Sequence, residues 1–491
     1  MGKTCIAALD VGTSSVKVCL FTLQMEMIAR SVQEYQLRTF ADRVEADGEN
    51  YMTAIRAGIR EVLSAVPGAA IAAIGVTTQG ETVAPADGRG KLLHPFIVWL
   101  DSRAEAQAET LKRKISEMEF YRTTGLPEIS GALPLAKLMW LKEHCPELYE
   151  KTHKFLLVED FILYRLTGRF VSEKALQTST GWFSLPGDGL WREGLALAEL
   201  DSEKLPEILE CGEMAGLLTE KAALELGLEP GIPVVTGAMD QTSAALAAGC
   251  TKPGTVTETT GSALVMAACT DQPIFAEGHH VTVYRHAMPG KYIYLPIGNT
   301  GGLALKWFRD EFCADLPAGE GGYDAINDLV HAVPAGCEGL TFLPFLSGSV
   351  DPDNCPEARA CFFGARLSTT RAHFARAVME SIAFLLRDFL EMLKKLDCSV
   401  DTIHSLGGGS RSAVWMQIKA DVCGLPFRAA NCSEATAMGA ALLAAWGTGL
   451  IPKGTVPESG SSRSFEPDAA KKYEKAYAQY KSLYRAVKPL F

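Results

Sequence analysis

Two stretches about 250 residues apart share one plan, and that repeat limits the fold more than any other feature of the chain. Near the N-terminus, Cys5 to Leu9, the turn G-T-S-S and Val16 to Phe21 form short apolar runs joined by a tight bend, with a third apolar-polar stretch from Met25. Runs of this length, rich in β-branched residues, predict consecutive strands. From Gly254 the pattern returns as Thr255 to Thr259, the turn T-G-S and Ala263 to Ala267. A strand-turn-strand unit met twice, with glycine and hydroxyl residues at each bend, predicts an internal duplication. The boundary falls near 245 to 250, giving two domains, 1–247 and 248–491.

Between these units strands and helices alternate, which argues for an α/β fold. Tyr51 to Ala65 has helical periodicity, Ile71 to Thr77 and Phe96 to Trp99 read as strands, and Glu105 to Leu166 reads as an all-helical layer. Ile232 to Val235 predicts a strand and Asp240 to Ala248 a helix of small residues. In the second half, Phe374, Val378, Ile382, Leu385, Phe389 and Met392 mark one long amphipathic helix. A strand (Thr402 to Leu406), three glycines and a helix containing Trp415 follow. Gly454 to Pro467 reads as a loop and the last 24 residues as a charged surface helix.

Composition excludes several classes. Hydrophobic residues make up 47% and charged residues 21% of the chain, as in ordinary folded proteins. A net charge of -11 disfavours a nucleic-acid partner. The 13 cysteines are scattered with none at C-x-x-C spacing, which predicts reduced thiols and a cytoplasmic location. The N-terminus has neither a leader pattern nor a myristoylation pattern. The uncharged stretches Val62 to Gly80 and Ala435 to Pro452 read as buried core, with no role at a membrane. His279, His280 and His286 lack ligand spacing and read as surface or lid residues.

Four segments can carry chemistry. In A-L-D-V-G-T-S-S-V-K, Asp10 ends a strand and could face a hydrated metal, while Gly12, Thr13 and Ser14 expose backbone N–H groups to phosphates. A plain β-hairpin is the competing reading. In G-A-M-D-Q-T-S, Asp240 starts a helix, where a carboxylate stays ionised at neutral pH and could act as a base; a simple helix cap is the alternative. T-E-T-T-G-S places Gly261 and Ser262 at a strand turn, and L-G-G-G-S-R-S places Gly408 and Gly409 before a helix, where backbone approaches a ligand closely.

Together, and in this order, the four segments resemble the sugar kinases of the FGGY family, in its xylulokinase-like part. The resemblance covers nearly the whole chain. It extends to I-V-W-L-D-S-R-A (Ile97 to Ala104), L-A-K-L-M-W-L-K-E-H-C-P-E (Leu135 to Glu147), E-D-F-I-L-Y-R-L-T-G (Glu159 to Gly168), G-N-T-G-G-L-A-L-K-W-F-R-D (Gly298 to Asp310) and F-L-P-F-L-S-G (Phe342 to Gly348). It implies two actin-like (ribonuclease H-like) ATPase domains around a central cleft and phosphorylation of a small sugar or polyol, xylulose first, by ATP with Mg²⁺.

The resemblance makes Asp240 the general base and Asp10 the metal-associated acid. It assigns Gln79, Gly80, Glu81, Asp101, Asp240 and Gln241 to the substrate, and Gly12, Thr13, Ser14, Gly261, Ser262, Gly302, Lys306, Gly408 and Gly409 to ATP. A homodimer is common among such enzymes. In the loop T-T-Q-G-E-T, Glu81 and Thr82 match the glycerol-kinase type without its Arg, and the xylulokinase Met-His pair is absent. Gly80 is expected to leave room for a chain of four or five carbons. The other readings are a glycerol- or erythritol-type polyol kinase, a catalytically silent sugar-binding regulator and a polymerising ATPase. Retention of both Asp10 and Asp240 argues against a silent copy.

Overall fold

The computed structural model describes residues 3–278, 281–317, 319–430, 434–456, 463–468 and 473–491. The chain divides into two units: Met1–Gly249 with Thr282–Ile293 and Glu434–Glu458, and Cys250–Val281 with Tyr294–Ser433 and Ser459–Phe491.

The first unit is built on β1 (Thr4–Val11), β2 (Ser15–Phe21), β3 (Met27–Glu34), β4 (Ala70–Thr78), β5 (Met214–Leu217) and β6 (Pro233–Val235) in the order β5-β6-β4-β1-β2-β3. β6, β4 and β1 run parallel, with an antiparallel strand on either side. Both faces of β1 are buried, so it reads as a continuous apolar run. Cys5, Ala7 and Leu9 share one buried core with α1 (Gly48–Ala65), which packs on β2 and β3 through a face of Tyr51, Met52, Ile55, Ile59 and Val62. Asp47 starts α1 by accepting the Glu49 N–H at 3.0 Å, and Pro67-Gly68 follows its end.

Ile6, Ala8 and Ala73 face the opposite side, where α2 (Asp240–Ala247) and α3 (Ala435–Gly447) pack. α3 is buried nearly all round, which accounts for the uncharged stretch around it. An added Cβ on Gly75 of β4 would lie 2.2 Å from the Ala440 oxygen, and one on Gly439 would lie 2.1 Å from the Ser243 oxygen. Only glycine allows these backbones to approach so closely. A second sheet, from Arg38–Phe40, Arg43–Ala46, Phe96–Ile97, Val83–Ala86 and Lys154–Leu157, supports the loops beside the first.

The second unit repeats the plan. Its sheet contains β7 (Gly254–Thr260), β8 (Leu264–Thr270), β9 (Val400–Leu406), β10 (Phe427–Ala429) and β11 (Ser464–Phe465) in the order β11-β10-β9-β7-β8. Again three parallel strands lie between antiparallel neighbours. The duplication read from two turns thus extends to the sheet. The long helix spans Arg371–Lys395, and Trp415 lies in the helix Ala413–Cys423.

Four expectations are corrected. The layer read as all-helical is interrupted by the strand Lys154–Leu157, which pairs with Val83–Ala86; pairing partners distant in sequence leave no local signal. His286 is buried, its Nδ1 accepting the Met288 N–H at 2.8 Å, while His279 and His280 lie outside the described residues. Within the expected loop, Ser464–Phe465 is a strand, and residues 457–462 lie outside the described residues. The last helix, Glu474–Val487, buries Tyr477, Tyr480 and Leu483 on one face and is therefore amphipathic. The described cysteines are free thiols, and no helix among the described residues is long and apolar enough to cross a membrane.

Gly75→Ala drives a methyl group into the Ala440 carbonyl and should cost about 1–3 kcal/mol in urea unfolding. Gly408→Ala, where an added Cβ meets open space, should stay within about 0.5 kcal/mol of the parent. Equal stability of the two variants would refute the close approach of α3 to the sheet.

Candidate active site

The candidate site in the first unit forms where β1, β4 and β6 end, at the edge where parallel sheets commonly bind ligands. Asp10 pairs in register with Lys17 of β2 on one side and Thr77 of β4 on the other. Past the strand ends, the Gln79 N–H donates to the Val11 oxygen at 3.0 Å, and the Thr77 hydroxyl donates to the Ala238 oxygen at 2.6 Å. The turn after β6 is pressed against β4, since a Cβ on Gly237 would come 1.6 Å from the Val76 oxygen. These ties bring Asp10, Gln79, Glu81, Asp240 and Gln241 together from segments 70 to 230 residues apart in round numbers.

Asp10 is buried. Lys17 Nζ stands 3.5 Å from its carboxylate and 3.0 Å from Glu434, which also binds Arg30 at 2.9 Å. Burial raises the Asp10 pKa, with Lys17 opposing. In the following turn the Gly12 N–H donates to the Ser15 oxygen at 3.0 Å, and Tyr35 donates to the Gly12 oxygen. Thr13 donates to Gln79 Oε1 at 2.8 Å and accepts the Trp99 indole N–H at 3.0 Å, while Ser14 is exposed. The Gln79 amide nitrogen is buried and, among the described residues, meets no hydrogen-bond acceptor at bonding distance, though the side chain acts on the Tyr51 phenol.

Asp240 is the first residue of α2, and its Oδ1 accepts the Gln241 N–H at 2.6 Å. Burial, reinforced by the Asp10 charge, pushes its carboxyl up to about 7. The expectation that it stays ionised at neutral pH is therefore corrected: burial outweighs the helix start. Glu81 is held in the left-handed region at φ 59°. Its N–H donates to Ser179 Oγ at 3.3 Å, and its carbonyl accepts from Lys137 Nζ at 2.9 Å. Burial raises the Glu81 carboxyl and lowers the Lys137 ammonium, and each partner's charge opposes the shift. Asp240 and Glu81 keep an open edge, yet protein surrounds them on the other sides, and this surrounding governs their hydration.

Two further placements differ from expectation. Gly80 leaves no room: an added Cβ would meet Ser179 Oγ at 2.9 Å and Met239 Sδ at 3.2 Å. Asp101 is fully buried, accepting the Val44 N–H at 2.6 Å and binding Arg103 through both oxygens at 2.8 and 2.7 Å. Its carboxylate is thus spent on the Trp99 to Arg103 turn, although its charge still acts on Lys137, which bonds the Glu81 carbonyl.

In the second unit the Gly261-Ser262 turn is clasped to the start of the helix Gly302–Phe312. The Gly302 N–H donates to the Gly261 oxygen at 2.6 Å, and the Gly301 N–H donates to the Ser262 oxygen at 2.8 Å. Gly408 borders open space, whereas a Cβ on Gly409 would meet Thr260 at 2.7 Å. Beneath these turns, Glu258 and Lys419 form a fully buried ion pair at 2.7 Å, and both also bond the Thr260 hydroxyl. Lys306 is exposed and paired with Asp310 at 2.6 Å.

Sequence reasoning missed Lys137, Ser179, Trp99 and Tyr284. Lys137 had a signal, a charge inside an apolar helical stretch. Tyr284 had none, because it lies beyond the apparent domain boundary. It is buried in the first unit, and the charges of Glu81 and Asp240 both act on it.

The sequence profile for the FGGY family of carbohydrate kinases, N-terminal domain, matches residues 5–247, and that for the C-terminal domain matches residues 259–448. A gluconokinase of Bacillus subtilis (strain 168) is 28% identical over 95% of this chain and 92% of its own length. A xylulose kinase of Staphylococcus xylosus is 26% identical over 90% of each chain. The crystal structure of xylulose kinase from Rhodospirillum rubrum superposes with a TM-score of 0.90 at 28% identity, covering 99% of each chain.

The raised carboxyl of Asp240 has a stability consequence. An unfolded Asp titrates near 3.9, against about 7 in the folded protein, so the folded state holds more protons between these values. Stability therefore falls as pH rises through that window. Asp240→Asn removes this contribution, so its melting temperature should exceed the parent's by a margin that widens from about pH 4 to 7 and then levels off. A margin independent of pH would contradict the burial argument.

Proposed function

The chain belongs to the FGGY family of carbohydrate kinases and has that family's two actin-like α/β domains; on this premise we propose that it transfers the γ-phosphoryl group of ATP to a hydroxyl of a small neutral sugar or polyol, with a ketopentose such as xylulose first. The observation that carries the reading is the convergence of Asp240, Asp10, Gln79 and Glu81 at the ends of three parallel strands. Asp240 in its ionised form takes the hydroxyl proton as the acceptor oxygen bonds to phosphorus and the bond to the ADP oxygen breaks. In a loose transition state the proton moves late, so a carboxylate suffices as base.

Gln79, Glu81 and Gln241 bind the acceptor beside Asp240, and Gly80 shapes the site through the Ser179 and Met239 packed against it. Asp101 acts through Arg103 rather than on the sugar. The turns at Gly12, Thr13, Ser14, Gly261, Ser262, Gly302, Gly408 and Gly409 meet the nucleotide, and Lys306 would have to leave Asp310 to reach a phosphate.

Asp10 fits a role beside Mg²⁺. Its charge raises the pKa of Asp240, so a cation next to it relieves that repulsion and favours the ionised base. Among the described residues no group of three or more ligating side chains could hold a metal, which matches a Mg²⁺ bound largely by phosphates and water. When bound, Mg²⁺ neutralises charge on the phosphates.

A neutral acceptor follows from the charges. Asp10, Glu81 and Asp240 are acidic, and the lysines near them are engaged, Lys17 by Asp10 and Glu434, Lys137 by the Glu81 and Val98 carbonyls. A sugar acid would meet repulsion there. The glycerol-type reading lacks its guanidinium, since Gly80 stands in that place.

Asp240→Asn should lower kcat by about 10²-fold or more. In the parent, kcat/KM should rise with pH through an apparent pKa near the value of about 7 for Asp240. Turnover within a few-fold of the parent would return Asp240 to a structural role. In an ADP-release screen, a ketopentose should be phosphorylated, with glycerol poor and gluconate inactive. Gluconate as the best acceptor would overturn the charge argument.

A further inference from the structure

After β8 the chain re-enters the first unit through the strap Thr282–Ile293. Its strand Val283–Arg285 is wholly buried and anchored on both sides of Tyr284. The Val283 N–H donates to the Gly125 oxygen at 2.8 Å, and Gly125 is at φ 80°, where a Cβ would come 2.3 Å from the Val283 oxygen. Arg285 Nη2 stands 3.1 Å from Asp188 and 3.9 Å from Glu210, acids that Lys174 also binds. Arg285 also covers the Tyr292 ring at 5.4 Å.

Adjacent side chains in a strand point to opposite faces. With Arg285 committed to Asp188 and Glu210, Tyr284 is turned the other way, and there the charges of Glu81 and Asp240 reach it. The short helix Lys174–Gln177, which packs against this strand, leads directly to Ser179, the residue that accepts the Glu81 N–H. The strap and Glu81 therefore share one support. Tyr284 is 7% exposed. A buried phenol normally finds a partner, and beside two carboxylates burial keeps it in its donating, protonated form.

We infer that Tyr284 is a specificity-determining residue that contacts the acceptor, its ring walling the site and its hydroxyl donating to an acceptor oxygen. The inference rests on the reading of Asp240 and Glu81 as the acceptor side. The strap makes the acceptor site of the first unit depend on a segment that the sequence places among the residues of the second.

The test compares the full-length parent, Tyr284→Phe and Tyr284→Leu in steady-state kinetics on the same acceptor panel, with thermal melts alongside. Tyr284→Phe should lower acceptor kcat/KM by roughly 10-fold, mainly through KM, with the KM for ATP and the melting temperature unchanged. Tyr284→Leu, which removes the wall, should change the ranking of acceptors toward longer ones. An unaltered acceptor kcat/KM in Tyr284→Phe, or equal losses for sugar and ATP, overturns the role of the strap while leaving the kinase reading intact. A parent inactive on every acceptor overturns the acceptor-side reading and this inference together.

Discussion

The approach of α3 and α2 to the first sheet is the constraint on which the rest of the site depends. A glycine in β4 meets a helix carbonyl, a glycine in α3 meets the backbone of α2, and Gly237 meets the end of β4. Each contact is too close for any side chain. Together they fix where β4 and β6 end, and so where Glu81 and Asp240 stand relative to Asp10. The small-residue stretch around α3, which carries no chemistry of its own, thus sets the geometry of residues from nearly 200 to more than 400 positions away in round numbers.

That geometry crowds acidic groups. Asp10, Asp240 and Glu81 are all raised above ordinary carboxylates by burial, and Lys17 and Lys137 only partly offset it. Such an arrangement costs stability, because buried charge is poorly hydrated. It gives in return a carboxylate at Asp240 of raised basicity. The second unit treats its buried charge differently. Glu258 and Lys419 satisfy each other and Thr260 beneath the glycine turns, so those turns rest on a closed ion pair and present backbone rather than charged side chains.

The two units show how one plan serves both ends. In each, three parallel strands lie between antiparallel neighbours, and a glycine-containing hairpin turn follows the first of them. The first hairpin keeps Asp10 beside its turn. At the second, Gly301 and Gly302 close against Gly261 and Ser262, so the N–H groups of the helix start are partly spent on the turn itself.

The sequence by itself determined the α/β class and the duplicated strand-turn-strand units and made Asp10 and Asp240 candidates, because these depend on local periodicity, turn chemistry and residue order, while Gln79 and Glu81 became candidates through the family resemblance. Tertiary structure decided what local pattern cannot carry. The strand Lys154–Leu157 exists because a distant strand pairs with it. Gly80 is filled in by Ser179 and Met239, Asp101 is saturated by Arg103 and Val44, and Asp240 is only partly ionised near neutral pH because burial outweighs its place at a helix start. The charges of Glu81 and Asp240 act on Tyr284 only because a strap crosses the boundary that the sequence suggests. Hydration, packing and pairing at long separation are properties of the folded environment, and no window of neighbouring residues contains them.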